Sequence, residues 1–351
     1  MKKLVWRRMA LVAVAGMVVA PLGACSSDDD SSGSGVTVNL GYFPNLTHGS
    51  AIVADQKGFF QGALDDDDAT LKSQQFDSGS DTIDALLSGS LDATYIGPSP
   101  ALTAFAQSEG GVRIVSGATQ GGASLVVNSS ITSIQDLKGK KIATPSAGNT
   151  QDIALKYFLK DNGFNESSDG TGDVTVVNQD NSVSVQTFGT GDIDGAWLPE
   201  PYASELVDEG GKVLVDESSL WPGGKYVTTV LLVRKAFLDD HPELVDDLLK
   251  GQTEANDYIA DNSDDAKKVV GDWLADYSGS PIDQGVLDSA WSNLTFSDDP
   301  VADSFIQSAS HAEEVGLLDP IDDLPTIFAL DPLNAILSDA GETEVQGPST
   351  Q

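Results

Sequence analysis

Apolar residues recur along this chain with two periods. Val36, Val38 and Leu40 alternate with Thr37, Asn39 and Gly41, the period of a half-buried strand. Short apolar runs predict further strands at Leu91–Ile96, Val112–Ser116, Leu125–Val127, Lys141–Ala143, Val174–Val177, Ile193–Leu198 and Val227–Val233. Helical spacing lies between them. Gly49–Lys57 predicts a helix stopped by Gly58, and Asp81–Ser88 one capped near Ser80 or Asp81. After Asn149, Ile153, Ala154, Tyr157 and Phe158 form a stripe that closes before Gly163. The alternating order predicts parallel sheets covered by helices. Beyond Lys235 the pattern turns helical, with Leu244, Val245, Leu248 and Leu249 behind Pro242, then Ala266–Tyr277, Val286–Leu294 and Val301–Val315.

An echo runs through the chain at an offset of 102 positions. Gly89-Ser90-Leu91-Asp92-Ala93-Thr94-Tyr95-Ile96 matches Gly191-Asp192-Ile193-Asp194-Gly195-Ala196-Trp197-Leu198, and the strand at Leu40 falls over that at Ile142. Either ordinary turn-strand units coincide, or two halves repeat one βα plan. Two such halves would face each other across a cleft at the carboxyl ends of their strands.

The amino-terminal pattern is different. Lys2, Lys3, Arg7 and Arg8 precede an apolar stretch from Met9 to Leu22, too short to span a bilayer and built like a secretory signal. It ends in Leu22-Gly23-Ala24-Cys25, small residues before a thiol that can be lipidated. Cys25 is the one cysteine of the chain, so no internal disulfide explains it. The expectation is a signal peptide over 1–24 and a polar tether over 25–35, holding the protein outside the cytoplasmic membrane without spanning it. Composition sharpens this. With 54 acidic and 19 basic residues the net charge is −35, which argues against nucleic acid and favours solubility. The run Asp65-Asp66-Asp67-Asp68 reads as a solvated loop.

Candidate chemistry concentrates in four polar loops that end strands or open helices: Tyr42 to His48, Gly97 to Pro100, Thr119 to Gln120, and Ser146 to Gln151. Free N–H groups at a helix start hold an anion without a formal positive charge, which suits an acidic protein. Asn45, Ser99, Thr119, Gln120, Ser146, Asn149 and Thr150 add neutral donors to such a site or serve only to cap their own helices. His48 pairs with an anion as imidazolium, donates one hydrogen bond as imidazole, or faces solvent. Trp197 walls an alkyl chain or packs in the core. Glu200 meets an amino group or caps a helix near Pro201. Tyr42 and Tyr95 line the cleft or pack. Three distant histidines without a partner cysteine leave no metal site, and no catalytic set or cofactor motif is present.

Several segments resemble the nitrate/sulfonate/taurine-type substrate-binding proteins of ABC importers. They are Leu40-Gly41-Tyr42-Phe43-Pro44-Asn45-Leu46-Thr47-His48, Lys57-Gly58-Phe59-Phe60, Gly89–Ala93, Asp136–Ala143 and Trp197-Leu198-Pro199-Glu200-Pro201-Tyr202. The resemblance implies an α/β type II periplasmic-binding-protein fold, with mainly parallel sheets in two lobes. Lobe 1 would take 36–123 and the largely helical 229–340, and lobe 2 would take 124–228, with a tail over 341–351. The crossovers would lie near Gly122–Val127 and Tyr226–Leu231. It implies a monomeric, non-enzymatic lipoprotein that delivers a small anionic solute to permease subunits. Aliphatic sulfonate or taurine is favoured over nitrate, because Trp197, Tyr42 and Tyr95 offer more apolar wall than nitrate needs. The alternatives are a thiamin-precursor (pyrimidine) binder or related enzyme, and a sensor lipoprotein without transport.

Overall fold

In a computed structural model, which describes residues 35–165, 167 and 169–349, the two hydrophobic periods sort into two mixed sheets. The expected signal peptide, Cys25 and all of the tether except Gly35 lie outside the described residues. The strands are β1 (Thr37–Tyr42), β2 (Thr70–Gln75), β3 (Ala93–Ile96), β4 (Val112–Gly121), β5 (Ala123–Val127), β6 (Lys141–Thr144), β7 (Thr175–Asn178), β8 (Gly195–Pro199), β9 (Lys212–Asp216), β10 (Val227–Arg234) and β11 (Leu294–Phe296). Sheet one has the order β11-β4-β10-β3-β1-β2, and sheet two β7-β6-β8-β5-β9.

The helices are α1 (Gly49–Lys57), α2 (Phe59–Leu64), α3 (Gly79–Leu87), α4 (Pro98–Gln107), α5 (Thr150–Asp161), α6 (Asn181–Thr190), α7 (Tyr202–Asp208), α8 (Lys235–Asp240), α9 (Pro242–Asp261), α10 (Ser263–Ser278), α11 (Gln284–Ser292), α12 (Ala302–Glu314) and α13 (Asp331–Ala340). Strand alternation divides each sheet between two apolar cores. On β10, Leu231 and Val233 join the core under α1, α2 and α9, while Val230 and Leu232 join the one under α3, α4 and α12. On β8, Trp197 packs with Leu155 and Phe158 of α5, while Ala196 and Leu198 pack with Phe188 and Leu206.

The echo is structural. Leu40 pairs with Ala93 and Gly41 with Thr94; at the same offset, Ile142 pairs with Gly195 and Ala143 with Ala196. Asp92 accepts from the Asn39 amide at 2.9 Å, and Asp194 from the Lys141 amide at 3.0 Å. Two halves therefore repeat one βα plan.

Two expectations need correction, on the crossovers and on helix ends. The sheets are mixed with most strands in one direction: β1, β2, β3 and β4, and likewise β6, β7, β8 and β9, share a direction, whereas β10 and β11 in sheet one and β5 in sheet two run against them. Strands reached by crossing between sheets enter against the direction of the βα units. The first crossing is the turn Gly121–Gly122, both at φ 75°, where a side chain on Gly122 would also lie 2.1 Å from Leu294. The second precedes Tyr226–Leu231, since Val227 already pairs within sheet one; the chain returns between Asp216 and Val227. Tyr226 ties the two connections, its hydroxyl accepting from the Ala123 amide at 3.1 Å. Lastly, Ser78 caps α3 by accepting from the Asp81 amide, and Leu294 belongs to a strand rather than to the helix before it.

Candidate functional site

Between the two sheets lies a cavity of about 300 Å³. Its wall is built from the segments just past the carboxyl ends of all six parallel strands. Phe43, Pro44, Asn45, Thr47 and His48 come after β1; Phe76, Asp77, Ser78 and Gly79 after β2; Gly97 and Pro100 after β3. Pro145, Ser146, Asn149, Thr150 and Gln151 come after β6; Asp180, Asn181 and Ser182 after β7; Pro199 and Tyr202 lie at and after the end of β8. Thr228 and Thr229 of β10 complete it. This is where open α/β sheets place ligands. The starts of α3, α5 and α6 converge here with unpaired first-turn amides, whereas α4 adds only its dipole, since Pro98 and Pro100 carry no N–H, Ser99 donates to Thr150 and Ala101 to the Gly97 carbonyl.

Asp152 holds the α5 loop in shape. It accepts from Thr144 at 3.0 Å, Asn178 at 2.9 Å, the Gly148 amide at 2.8 Å and Lys156 at 2.8 Å. On the facing side, Gly97 lets α4 approach: a β-carbon there would stand 2.6 Å from the Thr150 hydroxyl.

His48 is buried, and burial pushes its imidazole down to about 3. Its Nδ1 accepts from the Phe43 amide at 3.2 Å, which leaves the proton on Nε2. Phe43 stacks on the ring at 4.7 Å. His48 is thus buried rather than facing solvent, and burial disfavours its imidazolium form.

Buried polar atoms without partners among the described residues gather at this place. They include Asn45 Oδ1, Asn181 Oδ1 and Thr229 Oγ1 of the wall, and just behind it Ser99 Oγ and Thr119 Oγ1, Thr119 pairing with Thr229 across the sheet. Unpaired buried polar atoms are costly, and their clustering marks a place that expects hydrogen bonds from outside the chain.

Of the twelve residues expected at the site, the structure brings Asn45, His48, Gly97, Ser146, Asn149 and Thr150 to the wall. Asn149 also caps α5, its side chain accepting from the Asp152 amide at 2.9 Å. Six stand elsewhere. Tyr42 shares strand parity with Val38 and Leu40, so it packs in the core and donates to Asp55 at 2.5 Å. Ser99 and Thr119 are buried behind the wall, and Gln120 donates to the Asp299 carbonyl. Trp197 is fully buried and donates from its indole to Glu217 at 2.7 Å. Glu200 caps α7, accepting from the Ser204 amide at 3.0 Å and from Asn293 at 2.7 Å. Tyr95 is also core, donating to Gln252. The apolar wall comes instead from Phe43, Phe76, Tyr202 and four prolines. The β7 turn was open to the same loop argument as the others; the β2 loop was hidden because Thr70–Gln75 carries no apolar alternation.

The NMT1-like family pattern matches residues 33–275. The taurine-binding periplasmic protein of Escherichia coli K12 is 34% identical over 194 residues, 55% of this chain and 58% of that protein, so the match spans little more than half of this relative. A putative aliphatic sulfonates-binding protein of Bacillus subtilis 168 is 26% identical over 254 residues, 71% of this chain and 74% of its own. In fold, the alkanesulfonate-binding protein SsuA from Xanthomonas axonopodis pv. citri, solved bound to MOPS, superposes with a TM-score of 0.68 at 19% identity, over 84% of this chain and 98% of that one. The architecture is the periplasmic-binding-protein fold.

Proposed function

This chain belongs to the NMT1-like family, and from that premise we propose that it is the extracytoplasmic solute-binding component of an ABC importer. It is a binding protein and not an enzyme, as are its relatives. It takes a small anionic solute between the two sheets and hands it to permease subunits, anchored through lipid on Cys25. Aliphatic sulfonates and taurine are favoured over nitrate, since the aromatic and proline wall exceeds what nitrate needs. Among the described residues no helix is long and apolar enough to cross a membrane.

The carrying observation is the convergence of helix starts on one cavity edged by unpartnered polar atoms. Backbone amides and neutral donors can take an oxyanion there, and closure of the two halves around it would present one surface to the permease.

Thermal unfolding of ligand-stripped protein with ethanesulfonate, taurine and nitrate tests this. A ligand at about a hundred times its Kd adds about 2.7 kcal/mol and raises the midpoint. No shift with any of the three would overturn the anion reading.

A further inference from the structure

The acceptors in the cavity wall outrun what an anion can use. Asp77 and Asp180 line it from opposite sheets, and none of the described lining residues is a lysine or arginine. Asp180 sits at the N-cap of α6, where a carboxylate ordinarily binds its own helix, yet its side chain makes no capping bond. Next to it, Asn181 Oδ1 is buried with no donor, and so is Asn45 Oδ1 after β1. Both carboxylates act on the same neighbour: the Tyr202 phenol is pushed up to about 12, first by burial, then by Glu205, Asp77, Tyr277 and Asp180. Among the described residues Asp77 itself has only a long contact, 3.4 Å, from the Tyr277 hydroxyl. Carboxylate and amide oxygens accept hydrogen bonds and an oxyanion supplies none. An ammonium supplies three.

We propose that the solute carries an ammonium group as well as its anionic end, and that Asp77 and Asp180 receive the ammonium while the start of α5 receives the anion. This deepens the sulfonate reading and rests on it. Each carboxylate is exposed, so each contributes as a solvent-screened pair. Their placement on opposite sheets means that an ammonium between them also offsets the repulsion that closing the halves would create.

The experiment is calorimetric titration of the full-length, ligand-stripped protein with taurine and with ethanesulfonate, which lacks only the amine. The expected result is taurine at least about tenfold tighter, with D77N and D180N each shrinking that ratio about threefold to fivefold. Both substitutions are isosteric and at exposed positions, and far-UV circular dichroism checks the fold. Equal affinities in the wild type, or a ratio that neither variant moves, overturns the ammonium assignment while leaving sulfonate capture intact. Failure of both compounds to bind the wild type overturns the sulfonate reading and this assignment together.

Discussion

The Thr150 hydroxyl accepts from the Ser99 amide at 3.4 Å, so the first turn of a sheet-one helix is closed by a side chain from a sheet-two helix. Either half alone leaves this amide unpaired. Thr150→Val keeps shape and removes the acceptor. A hydrogen bond contributes about 1 kcal/mol net, so ligand affinity should fall about fivefold while the melting midpoint of the free protein barely moves. Titration calorimetry decides it, and unchanged affinity would remove Thr150 from the closing contact.

Gly97→Ala probes the same approach by bulk. Gly97 has φ −73°, so alanine fits its backbone, and the only conflict is with the Thr150 hydroxyl. The variant should fold normally, scatter X-rays as a more open particle, and bind at least about tenfold more weakly, as a cost of about 1.4 kcal/mol predicts. Wild-type affinity would show that the halves need not come this close.

Glu217 is buried beside Trp197, and burial pushes its carboxyl up to about 7. The unfolded chain gives up this proton near 4.5, the folded one near 7. Below both values the group has no effect; between them the folded state holds the extra proton, so stability falls as pH rises and stays lower above 7. The loss is on the order of 2–3 kcal/mol. Glu217→Gln, which can still accept from the indole, should remove this decline in urea melts at pH 4.5 and 7.5. A decline that persists in the variant would exonerate Glu217.

His48 should stay neutral throughout the physiological range. Its folded value is lowered, so proton uptake near 6.5 belongs to the unfolded chain, and stability from this group is lost as pH falls from about 6.5 toward 3. In a two-dimensional NMR titration its ring signals should not move between pH 8 and 5. A midpoint near 6 would restore the imidazolium as the anion's partner.

The face-to-face stack of Tyr157 on α5 and His311 on α12, with centroids 3.6 Å apart, links the halves at a second point. A double-mutant cycle to alanine, read by denaturant melts, should give a coupling of about 1 kcal/mol. Additive losses would mean that the rings touch without holding the halves together.

How much of this was legible in the sequence depends on period. Parallel strands with strong alternation, such as β1, and the Gly-x-aliphatic-Asp repeat before β3 and β8, announced themselves, and with them the loops holding Asn45, Gly97 and Thr150. The facing of individual strand residues did not. Tyr42 and Trp197 carry groups that suit a cleft or a core, and pleat parity, fixed only once strands pair, sends both inward. Thr70–Gln75 is a polar edge strand beside β1, held by backbone bonds, so the loop with Asp77 gave no sign of its place. The mixed sheets were also hidden, because pairing direction across a crossing between sheets leaves no trace in local composition.

The absence of lysine and arginine from the described cavity wall bears on how cargo is let go. A guanidinium would keep its hold on an anion after the halves part, since a full charge reaches far. The field at a helix tip fades within one turn. On the reading proposed above, the anionic end would be given up as the halves part, with no cationic side chain to hold it back, and only the exposed Asp77 and Asp180 would keep a screened pull on the other end.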